Sequence, residues 1–395
     1  FYLGYAREDE LLEMTDLPAL PERKIIHLDM DCFFAAIEML ERPELKNRPM
    51  AVGGRPENRG VISTCNYPAR KFGIHSAMSS AQAQKRCPDL ALLPGRHELY
   101  KEYSLKIFAQ LRQYSEVIEP LSIDEAYLDV TDSTHYRGSA TFIAQRIRKD
   151  IYELTGLTAS AGISFNKFLA KVASDWRKPG GQFTVAPEYM QEFLQDLPLK
   201  KLPGVGQVTW QKLQSLNLKT CGNLRKMTLP QLTELFGKFG KTLYMYSRGL
   251  DFRPVSGERD RKSLSCEQTF SHDLKNWEIL SENIDPLANE LAERVQRFHK
   301  NPEASEKILK SLVVKVKFHD FQTLTREKQL DQRQLEPLWK NGLYSDELKG
   351  HLRDLFYRAF HTREKPVRLL GLGVKMDSAP KGPVENSGFQ QLSFF

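Results

Sequence analysis

Four carboxylates have types and spacing that could do chemistry together. Asp29 and Asp31 close an apolar run, Lys24-Ile25-Ile26-His27-Leu28-Asp29-Met30-Asp31. Asp124 and Glu125 lie far downstream in a second one, Glu119-Pro120-Leu121-Ser122-Ile123-Asp124-Glu125-Ala126-Tyr127-Leu128-Asp129-Val130. Carboxylates from separate strand ends suit Mg²⁺, which takes one or two of them plus substrate phosphates and water. Two such ions, about 4 Å apart, can activate an attacking hydroxyl and stabilise a departing pyrophosphate. The competing reading makes these acids strand-end surface groups or helix caps. Asp31 shares a face with Asp29 if the strand stays regular, yet it could equally cap the helix that begins at Cys32-Phe33-Phe34.

These acids need elements to position them. Lys24 to Asp31 reads as a short buried strand that ends in acids, and Ala35 to Leu40 as a helix that Pro43 stops. Residues 44–95 form a small mixed region. Tyr100 to Tyr114 repeats apolar residues at helical spacing, and 119–130 reads as a strand pair or a bent strand. A helix over Ala140 to Leu154, a small-residue strand over Leu157 to Ser164 and a helix over Asn166 to Trp176 follow, stopped by Lys178-Pro179-Gly180-Gly181. The alternation predicts an α+β core. Residues 188–250 read as all-helical, 254–262 as a charged linker, 263–376 as a second α+β unit, and 377–395 as a disordered tail with an apolar tip.

The 395 residues suffice for two to four domains. With 41% hydrophobic residues and no apolar run of about 20, no membrane span is expected. Five scattered cysteines without a CxxC pair argue against a disulfide framework or structural zinc and point to a reducing cytoplasm. The net charge is +7. Residues 1–23 hold two arginines against six acids, so that acidic appendage stands at −4 and the rest carries +11. A basic body suits a polyanionic partner. The chain opens on Phe1, and its true start is expected to lie upstream.

Tyr67 and Arg70 stand three apart, as neighbours on one helical face. Arg offers phosphate a planar fork and Tyr a hydroxyl, and Lys178 could add a point charge from its loop. The alternative is a solvated basic face. Phe34 reads first as a core aromatic. The Gly-rich turn Leu202-Pro203-Gly204-Val205-Gly206 opens an amphipathic stretch and could present Gly204 and Gly206 N–H groups to phosphate. In residues 310–319 the apolar Leu312, Val314, Val316 and Phe318 alternate with Val313, Lys315, Lys317 and His319, so Lys315 and Lys317 could lie on the phosphates of a polyanion. An ordinary amphipathic strand explains the same pattern. The chain ends Gln391-Leu392-Ser393-Phe394-Phe395, apolar groups that suit a docking peptide.

Three stretches carry a resemblance. His27-Leu28-Asp29-Met30-Asp31-Cys32-Phe33-Phe34-Ala35-Ala36-Ile37-Glu38 is similar to the first motif of Y-family DNA polymerases. Asn66-Tyr67-Pro68-Ala69-Arg70-Lys71-Phe72-Gly73 resembles their fingers motif, and Ser122-Ile123-Asp124-Glu125-Ala126-Tyr127-Leu128-Asp129 their palm motif. Their order and wording match the DNA polymerase IV (DinB) branch, and the likeness runs from about residue 24 to 375.

The resemblance implies an α+β multidomain right hand. A ferredoxin-like palm would take 24–34 and 96–187, small fingers 35–95, and a helical thumb with a helix-hairpin-helix 188–253. An α+β little finger would take 263–376. It implies that Asp29, Asp124 and Glu125 bind two Mg²⁺ ions with the carbonyl of Met30, and that Glu125 is essential. Asp31 matches no ligand position. Phe33, Phe34, Ser63, Thr64, Tyr67, Arg70, Asp124 and Lys178 would meet the dNTP, with Phe34 the steric gate against a 2′-hydroxyl. Gln391, Leu392, Phe394 and Phe395 resemble a bacterial sliding-clamp-binding motif, with Phe394-Phe395 where Leu-Phe is usual.

The implied function is template-directed, error-prone translesion synthesis on primer–template DNA by a cytoplasmic monomer without proofreading. A two-metal nuclease needs neither a triphosphate clamp nor a sugar gate. A non-catalytic DNA-binding protein does not need Asp29, Asp124 and Glu125 intact.

Overall fold

The computed structural model describes residues 22–257, 260–301, 304 and 307–378. Residues 1–21 of the appendage and the tail residues Gln391, Leu392, Phe394 and Phe395 lie outside the described residues. The chain forms two compact units. The first takes the chain up to Gly54, Ile62–Met78 and Gln82 to the linker; the second takes the chain from Asp260 on, with Arg55–Val61 and Ser79–Ala81.

In the first unit, β1 (Ile25–Met30) is the middle strand of a five-stranded sheet, flanked by β6 (Glu125–Asp129) and β7 (Ala159–Ser164). The edges are β5 (Val117–Pro120) and β8 (Gln182–Thr184). β1 is a continuous apolar run because both of its faces are covered. Ile26, Leu28 and Met30 join a core with Ile143, Ile147 and Ile151 of α5 (Ala140–Thr155). Ile25 instead joins Ala170 of α6 (Lys167–Ser174). Burying each such aliphatic side chain contributes about 1.5–3 kcal/mol. With a side-chain period of two, His27 and Asp29 share the α6 side with Ile25. The helix lies very close to the sheet at Gly162, where a Cβ would come within 1.9 Å of the Ala170 carbonyl oxygen. The small residues of Ala159-Ser160-Ala161-Gly162 meet that demand.

The 119–130 stretch is a strand pair: β5 and β6 run antiparallel, and the turn between them carries Asp124. β1 pairs antiparallel with both neighbours, setting Asp29 opposite Glu125 on one side and Ser160 on the other.

A smaller three-stranded sheet holds β2 (Met50–Gly53) between β3 (Ile62–Cys65) and β4 (Ala91–Leu93). The helix α1 (Phe33–Glu41) leads into it, and the one-turn helix α2 (Tyr67–Arg70) leaves it. Asn66 starts α2, its side chain accepting from the Ala69 N–H at 3.1 Å while its amide donates to the Arg48 carbonyl at 2.7 Å. Helix α3 (Ser80–Arg86) precedes β4 and α4 (His97–Leu111) follows it.

Residues 190–247 are helical: α7 (Met190–Gln195), α8 (Gln207–Ser215), α9 (Cys221–Leu224), α10 (Leu229–Phe236) and α11 (Lys238–Ser247). Thr220 and Thr228 close capping boxes that start α9 and α10. Gly206 is the N-cap of α8; Gly204 has φ +89°, a left-handed conformation, and a Cβ there would come within 2.8 Å of the Phe239 ring.

The second unit is a four-stranded antiparallel sheet. Its order is β11 (Thr323–Gln329), β10 (Lys307–Phe318), β12 (Val367–Ser378), β9 (Ser263–Leu274). One face packs on α13 (Ile284–His299), α14 (Gln332–Asn341) and α15 (Asp346–His361), with the short α12 (Trp277–Glu282) beside them. The alternation expected over 310–319 holds: Leu312, Val314, Val316 and Phe318 are fully buried. All five cysteines are buried and unpaired. Among the described residues no helix is long and apolar enough to cross a membrane.

Candidate active site

The end of β1 brings the carboxylates together. The β1–β6 register sets Asp29 opposite Glu125, and the Met30 N–H donates to the Asp124 carbonyl at 3.0 Å, which fixes the turn beside the strand end. Ser122 Oγ donates to Asp124 Oδ1 at 2.5 Å.

Each of two acids has an ammonium as partner. Lys178 Nζ lies 2.8 Å from Asp29 Oδ2 and 3.1 Å from Asp175 Oδ1, and Lys171 Nζ lies 2.5 Å from Glu125 Oε2. Burial pushes the Asp29 carboxyl up to about 6; Lys178 opposes the rise, and the charges of Glu125 and Asp124 add to it. For Glu125 burial acts in the same sense, but hydrogen bonds from His27 and Lys171 prevail and bring it down to about 2. Asp29, buried beside two further acids that add to its proton affinity and with Lys178 already leaning on it, favours added positive charge at this strand end.

The donor set therefore fits a hard divalent cation. Among the described residues, no three His, Cys, Asp or Glu side chains already converge as a cage. Mg²⁺ keeps several waters and takes substrate phosphates, so an open carboxylate site is the form it uses.

Asp31 does not join this cluster. The strand stops at Met30, and Cys32 takes φ 41°, a left-handed conformation that turns the chain into α1. Asp31 is 2% exposed and accepts from Ser160 Oγ and the Gly180 N–H, each at 2.7 Å. It is no cap either, because Cys32 is the N-cap of α1 and the helix has no side-chain cap. Strand periodicity misplaced it because the strand ends one residue too early for the pattern to apply.

One cavity of about 180 Å³ gathers most of the residues expected to meet a nucleotide. Asp29, Met30 and Asp124 line one part, with Phe33 and Phe34; Ser63, Thr64, Tyr67 and Arg70 line another, and Lys178 completes it. The Arg70 guanidinium sits 4.8 Å from the Tyr67 ring centroid, so the three-residue spacing does bring the pair together. Phe34 is only partly buried and stacks on Tyr100, centroids 4.3 Å apart and planes 11° apart. Glu38 holds that stack in place. It is 1% exposed, accepts from Tyr100 Oη at 2.6 Å, and takes a bidentate grip from Arg96 at 2.9 and 2.7 Å.

Other expected contacts lie elsewhere. Gly204 and Gly206 belong to the helical segment and do not line this cavity. Lys315 pairs with Glu267 at 2.7 Å across Gly371, and Lys317 Nζ lies 5.1 Å from the Phe321 ring centroid. Lys315 is therefore charge-paired, whereas Lys317 lies beside an aromatic ring.

Two neighbours of Glu125 were absent from the sequence reading. His27 is fully buried; its Nε2 lies 3.2 Å from Glu125 Oε2 and 3.3 Å from Lys171 Nζ, and its Nδ1 lies 2.8 Å from Ser174 Oγ. Burial brings its pKa down to about 4, so it is neutral at pH 7. Both left a signal. His27 shares Asp29's face by strand period, and Lys171 is the single charge inside Phe168-Leu169-Ala170-Lys171-Val172-Ala173. Ser76 and Cys32 also line the cavity unforeseen.

Comparison with known proteins agrees with this site. Residues 28–175 match the impB/mucB/samB family, 200–251 the DNA polymerase-iota thumb domain, and 261–392 the impB/mucB/samB family C-terminal domain. A DNA polymerase IV of Legionella pneumophila is 49% identical over 356 residues, covering 90% of this chain and 95% of that protein. One of Shewanella loihica is 48% identical over 360 residues, covering 91% and 95%. Among solved structures, a Y-family DNA polymerase chimera aligns with TM-score 0.76 at 26% identity, covering 89% of this chain and 98% of its own. DinB from Sulfolobus solfataricus aligns with TM-score 0.61 at 25% identity, covering 90% and 99%.

Proposed function

The chain belongs to the Y family of DNA polymerases, in the DinB branch of the bacterial DNA polymerase IV enzymes, and on that premise we propose that Asp29, Asp124 and Glu125, with the carbonyl of Met30, hold two Mg²⁺ ions. The activity is template-directed translesion DNA synthesis, which adds dNMP from a dNTP to a primer 3′-hydroxyl without proofreading. The family is metal-dependent; Mg²⁺ is the ion proposed here, from the all-oxygen donor set. Such ions activate the attacking hydroxyl and neutralise the departing pyrophosphate.

The chain's own groups do the rest. Tyr67 and Arg70 form one arm of a triphosphate clamp and Lys178 the other, with the Ser63 and Thr64 hydroxyls beside them. Lys178 rests on Asp29 at 2.8 Å within the same cavity. A swing of its flexible stem would carry that charge from carboxylate to phosphate. His27 and Lys171 keep Glu125 ionised and fixed in direction. Phe33 backs the pocket, and Phe34, immobilised on Tyr100, would present a flat ring to the sugar and exclude a 2′-hydroxyl.

The elements divide as a palm (24–34 and 96–187), fingers (35–95), thumb (188–253) and little finger (263–376). Gly204, Gly206, Lys315 and Lys317 would contact the DNA backbone, which positions the duplex without reading sequence. Gln391, Leu392, Phe394 and Phe395 would dock on a sliding clamp, with the enzyme acting as a cytoplasmic monomer. Deleting 391–395 should abolish clamp stimulation and spare basal synthesis.

The observation that carries this reading is the single cavity shared by Asp29, Asp124, Phe34, Tyr67, Arg70 and Lys178. A primer-extension assay tests it. Wild type should extend a primer with Mg²⁺ and dNTP, and Asp124→Asn should not. Primer shortening in place of extension would indicate a nuclease. Equal extension by both proteins would remove Asp124 from the mechanism.

A further inference from the structure

Asp31 is a carboxylate buried to 2% exposure, and its oxygens are taken by neutral donors. Oδ1 accepts from Ser160 Oγ at 2.7 Å, with the Tyr67 hydroxyl at 3.5 Å, the outer limit of a hydrogen bond. Oδ2 accepts from the Gly180 N–H at 2.7 Å. A buried carboxylate is costly unless hydrogen bonds replace its water, and these donors replace it here. What the donors belong to is informative. Gly180 lies two residues after Lys178, and Tyr67 precedes Arg70 on α2. A single carboxylate thus touches both arms of the proposed triphosphate clamp, which come from segments more than a hundred residues apart in the chain.

The loop is held from its other side as well. Arg148 donates to the Gly180 carbonyl, to the Ala159 carbonyl at 3.0 Å and to Gln182 Oε1 at 3.0 Å. Gly180 has φ +64°, and a Cβ on Gly181 would come within 2.1 Å of the Arg177 carbonyl oxygen, so the turn is tight and has little freedom beyond these anchors.

We propose that Asp31 is a positioning residue for the incoming triphosphate: it anchors the Lys178 loop through Gly180 and steadies Tyr67, so that both arms of the clamp stand at a fixed separation. The proposal rests on the reading of Tyr67, Arg70 and Lys178 as triphosphate contacts. Asp31 touches neither substrate nor metal and acts through its neighbours.

The test is equilibrium dNTP binding to the full-length enzyme on a dideoxy-terminated primer–template, where no chemistry follows, alongside single-turnover rates on an extendable primer. Asp31→Asn keeps the shape but places an amide NH₂ against one of the two donors. It should weaken dNTP binding roughly tenfold while changing the rate at saturating dNTP far less, and primer–template affinity should be unchanged. Lys178→Ala should weaken dNTP binding by itself, and the two changes together should weaken it by less than the product of their separate factors, since both act on one arm. If Lys178→Ala leaves dNTP affinity intact, the clamp reading fails and the proposal with it. If Lys178→Ala weakens binding but Asp31→Asn does not, or the factors multiply, the clamp stands and the positioning role is overturned. Should Asp31→Asn not fold, Arg148→Met releases the Gly180 carbonyl with Asp31 intact and carries the same expectation.

Discussion

Lysine–carboxylate pairs occur both at the end of β1 and on the outward side of the second unit's sheet, and they behave differently. Lys178–Asp29 and Lys171–Glu125 are partly buried, with the acids 22% and 23% exposed. Lys315–Glu267, Lys310–Asp377 and Lys375–Glu327 are open to solvent. In the first place desolvation and neighbouring acids move one carboxyl up to about 6 and another down to about 2. In the second, each acid has its own lysine across the strand ladder and water screens the pair. Exposed pairs of this kind are worth about 0–1 kcal/mol. Similar residue types thus make a charge-starved pocket in one place and a matched surface in the other. The difference is burial and convergence, which set how strongly one charge reports on the next.

The largest expected effect separates the two regions outright. If Asp29 holds metal as proposed, Asp29→Asn should cut primer extension on the order of a thousandfold or more, the loss of one ligand costing several kcal/mol. It should also stabilise the metal-free protein. The folded pKa of Asp29 lies above its unfolded value, so keeping it ionised at pH 7 costs stability, and removing that charge should return about 2–3 kcal/mol in chemical denaturation. A destabilised variant would contradict the picture of a charge-starved site.

Next in size, Phe34→Ala should admit ribonucleotides on the order of a hundredfold better with deoxynucleotide addition largely kept. Unchanged sugar selectivity in competitive incorporation would sink the gate assignment.

His27 tests the burial half of the contrast. Its folded pKa, about 4, lies below the ordinary 6.5, so the unfolded chain takes up the proton first as pH falls. Its contribution is complete above pH 6.5 and lost on descent to about pH 4, at most roughly 3 kcal/mol. The release of the Asp29 cost offsets part of that loss between about pH 6 and 4. His27→Gln should flatten the fall in melting temperature across this window, and an unchanged slope would assign the titration elsewhere.

The smallest effect belongs to the sheet. Lys315→Gln should change stability by under about 1 kcal/mol and the salt slope of duplex binding by about one unit at most. A loss comparable to that at Asp29 would erase the contrast between the regions.

Much of this was legible from residues alone. The α+β alternation, the strand over Leu312, Val314, Val316 and Phe318, and the Tyr67–Arg70 pair follow from period and spacing, which are local properties. Asp31 was harder. Its relation to Asp29 depended on the strand remaining regular for one more residue, and the left-handed turn at Cys32 ended that. Lys315 could be placed on the outward side by alternation, but its pairing with Glu267 needed the register across Gly371.

By itself the sequence determined which residue types were present, which faces they took within each element, and, through three long motifs, which family the chain belongs to. Tertiary structure decided the partners. Lys171 reaches Glu125 only because Gly162 lets α6 lie close to the sheet, and His27 only because β1 pairs with β6. Asp31 reaches Gly180 only because the 178–181 loop returns to the end of β1. Period and propensity act over a few residues, whereas a hydrogen bond or ion pair between segments 46 to 149 residues apart depends on how the whole core closes.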